Sequence, residues 1–115
     1  LSLTAATILC LSSAVHYEAR SEPIEGKIAV ASVIMNRVES KRFPDTVCDV
    51  VKQPKQFSWY PRYSLTYGKQ KEFATAFLEG KHKRAVPKSY FFTAVSRWLK
   101  RPVRITIGGH RFYGI

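Results

Sequence analysis

Apolar residues dominate the first nineteen positions, and no Asp, Glu, Lys or Arg precedes Glu18. That pattern predicts a first helix over roughly residues 3–20, ending ahead of Pro23 because a proline disfavours helical geometry in the residue before it. The uncharged run Leu1 to Val15 is shorter than the ~20 residues a membrane span needs and lacks the basic opening of a leader peptide. It continues without a break into His16-Tyr17-Glu18-Ala19-Arg20 and reads as a buried helix. A second helix starts with Pro23 in its first turn and Glu25 near the positive helix end. From Ile28 to Met35 only Ser32 is polar, so protein must wrap this helix on most of its circumference, which makes it the central helix of the fold.

The polar stretch Asn36 to Arg42 ends that helix. Pro44-Asp45-Thr46 then supplies a turn and an N-cap for a short helix over Val47 to Lys52. Residues 53–68 carry too many aromatics and prolines for a helix and no strand alternation, which predicts a long ordered loop. A further helix is expected from about Lys69 to Glu79, with Phe73, Ala76 and Phe77 on one face and Gly80 as its stop. Lys81 to Arg84 reads as a solvated basic link. Val103-Arg104-Ile105-Thr106-Ile107 alternates with period two, and Gly108-Gly109 joins it to His110-Arg111-Phe112-Tyr113 as a hairpin. The expected fold is a mainly helical α+β single domain over residues 1–115, with a buried central helix and a small C-terminal β-hairpin.

Composition supports a packed core, since 45% of the 115 residues are hydrophobic and 13% aromatic, and this excludes a disordered tail. The net charge of +11 is unevenly placed. Residues 1–50 hold five bases and six acids, whereas residues 51–115 hold fourteen bases against Glu72 and Glu79 alone. Carboxylate chemistry therefore has to come mainly from the first half, and attraction for a polyanion from the second. A nucleic acid, an anionic membrane surface and a bacterial cell wall all qualify. Cys10 and Cys48 are too few for a thiolate zinc site. They form either one bridge, closing a loop of nearly forty residues and implying an oxidising compartment, or two buried thiols.

Glu18 stands out physically. It lies near the C-terminal end of an apolar helix with Glu22 four residues on, and both the helix end and a like charge raise a carboxyl pKa. A carboxyl that keeps its proton can serve as a general acid; the spacing alone leaves open a solvated glutamate on a frayed turn. His16, His82 and His110 are scattered, no metal motif or nucleophile elbow occurs, and Gly108-Gly109 is a hairpin turn and not a phosphate loop, so neither a metal nor another cofactor is expected. In the loop, Gln56-Phe57-Ser58-Trp59-Tyr60 with Tyr63 and Tyr67 sets flat apolar faces beside hydrogen-bonding groups. Such surfaces suit sugars or unstacked bases, and part of these aromatics belongs to the core.

Tyr17-Glu18-Ala19-Arg20-Ser21-Glu22-Pro23, Gly26 to Ala31, Asn36-Arg37-Val38, Phe43-Pro44-Asp45-Thr46-Val47-Cys48, Gln56-Phe57-Ser58 and Ile107 to Tyr113 together resemble the SleB/CwlJ-type cell-wall hydrolases. The match runs in order over nearly the whole chain and is weakest from Trp59 to Ser89. The resemblance implies a lysozyme-like fold of the lytic-transglycosylase kind acting on peptidoglycan glycan strands, with the family's catalytic glutamate falling on Glu18. It also implies a Cys10–Cys48 bridge and action outside the cytoplasm, in the periplasm, cell wall or spore coat, or in phage-mediated lysis of a host wall. Two departures stand out: Ser21 replaces the usual glycine, and Phe92 stands where relatives often carry histidine.

The reaction so implied is cleavage of the β-1,4 bond between N-acetylmuramic acid and N-acetylglucosamine by one carboxyl group, which fits the scarcity of acids better than a two-carboxylate scheme. Motif position gives Gln56 and Ser58 contacts to sugar N-acetyl and hydroxyl groups, and makes Phe57 and Tyr90 cleft-lining residues. Asn36 and Tyr113 are candidates to orient Glu18 or the substrate, and Glu22 is the helper if the reaction is a muramidase-type hydrolysis. The protein is expected to act as a monomer, held on anionic wall polymers by its basic half. A basic nucleic-acid-binding module and a catalytically inert wall-binding protein are the rival classes, though no helix here forms a basic reading stripe; a stem-peptide amidase is weaker still.

Overall fold

The computed structural model describes residues 3–53, 57, 59–60 and 64–115. Four helices come first, α1 (Ala5–Ala19), α2 (Ile24–Val38), α3 (Val47–Val51) and α4 (Gln70–Leu78), followed by strands β1 (Phe91–Ala94), β2 (Val103–Ile107) and β3 (His110–Tyr113). Several helix ends have a local cause. Thr4 caps α1 by accepting the Thr7 N–H, and Thr46 caps α3 through Asp49. Pro23 is the extended residue just ahead of α2, one position earlier than the first-turn place expected for it. At the end of α4, Gly80 takes φ +80, which lets the Gly80 and Lys81 N–H groups close back onto the carbonyls of Phe77 and Ala76; only glycine adopts that left-handed geometry without strain.

Helix α2 is shared between two cores, which accounts for its nearly continuous apolar run. Ala31, Ile34 and Met35 pack with Cys10, Leu11, Ala14 and Val15 of α1, with Val47, Val50 and Val51 of α3, and with Ala74 and Phe77 of α4. Ala29, Val30 and Val33 pack instead with Ala19, Val86 and Phe112 beneath the sheet. Helix α1 is also deeply buried, and its serines are satisfied: Ser12 and Ser13 donate to Leu9 O and Thr66 O, while Thr66 N–H donates back to Ser13 Oγ at 2.6 Å. The chain after the long loop is thereby laid across α1. Cys10 and Cys48 form a disulfide between α1 and α3, with Cα atoms 5.2 Å apart.

The C-terminal hairpin is one part of a three-stranded antiparallel sheet in the order β1-β3-β2. Phe91 pairs with Tyr113 and Ala94 with His110. Sequence patterning missed β1 because Phe91-Phe92-Thr93-Ala94 does not alternate, and its first three residues are all half-buried. The alternation in β2 predicted one buried face, yet Val103 and Ile105 are 44% and 46% exposed. As an edge strand β2 reaches the second core only at Ile107, and the central strand β3 carries the burial through His110, Phe112 and Tyr113.

The bridge closes a loop across a sequence separation of 38, for which loop entropy gives about 3–4 kcal/mol of stabilisation. Replacing both cysteines by serine is expected to lower the unfolding free energy by that amount in a denaturant titration. An unchanged midpoint would show that the bridge contributes nothing.

Candidate active site

Glu18 sits in the last turn of α1, where the helix end meets the sheet. It lines a cleft of about 610 Å³ together with Arg37 of α2, Phe91 to Ala94 of β1, His110 of β3, and Arg97, Leu99 and Arg101 from the segment between β1 and β2. Burial raises the Glu18 pKa from its ordinary 4.5 to about 7. The nearby Trp59 indole N–H acts in the other direction as the lesser cause; its nitrogen is buried without a fully formed hydrogen bond. The direction matches the expectation drawn from the helix end and Glu22, but the cause is desolvation.

Glu22 is occupied elsewhere. Gly109 N–H donates to its Oε1 at 2.7 Å, and His110 Nδ1 lies 3.5 Å from the same oxygen. The carboxylate fits against backbone that leaves no room for side chains. A Cβ on Gly108, whose φ is +55, would collide with Oε1, and one on Gly26 would lie 2.9 Å from the Glu22 Cβ. Glu22 thus fastens the β2–β3 turn to the corner between α1 and α2. Ser21 beside it is exposed and lies outside the left-handed region, so the backbone at this corner accepts a residue other than glycine.

The other expected site residues are distributed as follows. The Asn36 amide donates to Val86 O and Ser89 O at 3.1 and 2.9 Å, holding a turn in which Val86 and Lys88 adopt positive φ. Tyr113 is fully buried; its hydroxyl pairs with Thr93 Oγ1 at 3.0 Å and accepts the Leu99 N–H at 3.3 Å, which ties the cleft wall together behind its surface. Phe57 is a core side chain packed on Trp59 and Phe92. Tyr90 stacks on Phe43, and its carbonyl accepts Arg37 Nε at 2.7 Å. Gln56 and Ser58 lie outside the described residues, as does Tyr63.

Arg37 and His110 also line the cleft, without a role assigned to them from sequence. Arg37 is buried among the rings of Phe43, Phe57 and Phe91, its guanidinium carbon 4.9, 5.8 and 5.0 Å from their centroids. Burial, with the Arg101 charge as a lesser cause, lowers its pKa to about 10, so it remains charged at neutral pH. His110 is buried against Phe92, edge to face at 5.4 Å. Phe92, noted from sequence as a departure from the family pattern, joins His110 to Phe57 and Phe112 and adds an apolar wall to the cleft beside Glu18. A buried arginine flanked by Asn36 in a motif, and a histidine directly after two glycines, were the signals available. Among the described residues no three His, Cys, Asp or Glu side chains gather as a metal site. No helix among them is long and apolar enough to cross a membrane.

Four helices packed with a small three-stranded antiparallel sheet make a lysozyme-like domain, and solved structures share this fold. The catalytic domain of the germination-specific lytic transglycosylase SleB from Bacillus anthracis superposes with a TM-score of 0.79 at 27% identity, covering 96% of this chain and 95% of that one. The catalytic domain of the Bacillus cereus SleB protein also gives 0.79, at 28% identity, covering 97% and 92%. Among curated relatives, the spore cortex-lytic enzyme of Halalkalibacterium halodurans is 34% identical over 111 residues, 91% of this chain and 34% of that protein. The spore cortex-lytic enzyme of Bacillus cereus is likewise 34% identical over 111 residues, 43% of its length. The chain thus spans between a third and a half of these two relatives. The family model described as Cell Wall Hydrolase matches residues 21–113, and the chain belongs to that family. Glu18 lies just ahead of the matched span, within the first helix.

The raised Glu18 pKa links stability to pH. Below about pH 4.5 the carboxyl is neutral in both folded and unfolded chains, so its burial carries no charge penalty. Between there and about 7 only the unfolded chain gives up its proton, so stability falls as pH rises; above 7 the folded state carries the buried charge at full cost. Glu18→Gln removes that cost. The variant is expected to match the wild type at pH 4 and to exceed its unfolding free energy by on the order of 2–3 kcal/mol at pH 8. A difference independent of pH would contradict the assignment of burial as the cause.

Proposed function

We propose that this domain degrades peptidoglycan as a lytic transglycosylase, cutting the β-1,4 bond between N-acetylmuramic acid and N-acetylglucosamine with Glu18 as its one acid–base group. The observation that carries this reading is the Glu18 carboxyl itself, kept protonated to about pH 7 by burial in an open cleft. A general acid must hold its proton at working pH and meet the leaving oxygen, and this carboxyl is suited to both. The family, and the lytic transglycosylase named among the similar structures, support the same substrate and reaction class.

The steps balance around that one group. Glu18 donates its proton to the glycosidic oxygen as the bond to the muramic C1 breaks, and N-acetylglucosamine departs as the free alcohol. The carboxylate left behind accepts the proton of the muramic C6 hydroxyl as that oxygen bonds to C1. A 1,6-anhydro ring closes and Glu18 is protonated again. Two-carboxylate hydrolysis needs a second acid group at a set distance across the bond. Glu22, the nearest in sequence, is engaged with Gly109 and His110, which favours the single-carboxyl scheme over the muramidase alternative. The Cys10–Cys48 disulfide supports action in an oxidising compartment outside the cytoplasm. The basic second half supplies attraction to anionic wall polymers that weakens with added salt.

Digestion of purified peptidoglycan by the wild type is expected to release fragments lighter by one water than hydrolysis products, with none from Glu18→Gln. The rate is expected to fall as pH rises through about 7, because the first step needs the protonated acid. Products with hydrated reducing ends would replace ring closure by water attack; release unaffected by Glu18→Gln would remove Glu18 from the mechanism.

A further inference from the structure

The segment joining β1 to β2 is exposed at every residue from 95 to 102, and it is nevertheless fastened at many points. Val95 N–H donates to Gly109 O and Arg97 N–H to Ala94 O, each at 2.9 Å. Arg111 Nη1 donates to Val95 O at 2.8 Å and to Arg97 O at 2.7 Å, and Thr93 Oγ1 to Arg97 O at 3.3 Å. Leu99 N–H donates to the Tyr113 hydroxyl at the core end of the sheet. An exposed connection that buries little apolar surface ordinarily frays, whereas here groups of β1, β3 and the turn between β2 and β3 fix one shape.

What that shape presents is Trp98. The residue is 70% exposed, with the Arg111 guanidinium 3.7 Å from its ring centroid. The same guanidinium that binds the two carbonyls therefore supports one face of the indole, and the other face is left to solvent. A single exposed apolar side chain needs no explanation. An indole propped from behind, on a braced turn whose neighbours Arg97 and Leu99 line the cleft of Glu18, does. Its free face is flat, apolar and electron-rich, and the axial C–H bonds of a pyranose ring present a matching flat, weakly positive face. Arg97, Lys100 and Arg101 flank it in sequence, none in an ion pair among the described residues, which suits a strand bearing carboxylates.

We propose that Trp98 is a sugar-stacking platform that binds one pyranose ring of an acidic glycan strand at the lip of the cleft and so aligns a neighbouring glycosidic bond with Glu18. The proposal rests on reading the cleft as a glycan-cleaving site, and it makes Trp98 a binding residue remote from the reacting atoms.

Tryptophan emission tests it directly: the other tryptophan, Trp59, is 5% exposed, and because its indole adjoins Glu18 its own response is read in the variant that lacks Trp98. Peptide-free strands of alternating N-acetylglucosamine and N-acetylmuramic acid, titrated into Glu18→Gln, are expected to shift the emission to shorter wavelength. In Trp98→Phe/Glu18→Gln the shift should fall to the smaller response of Trp59 while affinity measured by calorimetry stays within about threefold; a shift undiminished by the loss of Trp98 would belong to Trp59 and overturn the platform. In Trp98→Ala/Glu18→Gln affinity should fall about tenfold, the order of effect of losing one stacked ring. On the Glu18-containing background Trp98→Ala is expected to raise the half-saturating concentration of strands more than it lowers turnover at saturation. Trp98→Phe serves as the folded control should the alanine variant be unstable. Wild-type turnover with no emission shift and no change of affinity in either variant would overturn the platform and leave the proposed reaction standing. An emission shift with strands but no products from wild type would do the reverse. A shift with phosphatidylglycerol vesicles and none with glycan would assign the surface to a membrane and overturn the proposal.

Discussion

The hydrogen bond from Gly109 N–H to the Glu22 carboxylate, at 2.7 Å, is the contact on which the site depends. It joins the helical part of the chain to the sheet across 87 residues of sequence, and two glycines make room for it. Once the β2–β3 turn is fastened there, His110 lies beside the cleft and β1 pairs along β3, with Phe92 packed against both cores. Glu18 is then largely, though not fully, screened from water. One acid of the pair four residues apart is consumed in building the site, and the other acquires its chemistry from what was built.

The rest of the scaffold serves the same end. Helix α2 lies between two cores, so the position of the sheet relative to α1 is set by packing on both of its faces. Arg37 on that helix reaches Tyr90 O and three aromatic rings, fixing the start of β1. The Asn36 amide holds the 86–89 turn that leads into it. A buried arginine and asparagine at the end of a central helix are costly to leave unpartnered, and both are committed to placing the strand that forms one wall of the cleft.

Much of this was legible in the sequence. The four helices follow from apolar runs, caps and stops that act locally, and the hairpin from its two glycines. Glu18 was legible as a carboxyl at the end of an apolar helix, but not the reason for its raised pKa, because the desolvating groups come from strands some seventy to ninety residues away. Strand β1 escaped notice because a strand buried unevenly on both faces has no period-two signature. The exposure of Val103 and Ile105 was equally hidden, since alternation marks a face able to be covered and not the element that covers it. For Asn36 and Tyr113 the motif marked positions whose polar groups, in the fold, reach backbone and Thr93 on the far side of the cleft wall.

The central claim is that burial keeps the Glu18 carboxyl protonated close to neutral pH. A titration of the chain with 13C-labelled glutamate, followed by the carboxyl chemical shift and assigned by loss of the signal in Glu18→Gln, measures this without reference to any substrate. One carboxyl titrating near pH 7 and disappearing in the variant is the result the account predicts. A Glu18 signal titrating in the ordinary glutamate range, about 4 to 4.5, would contradict it.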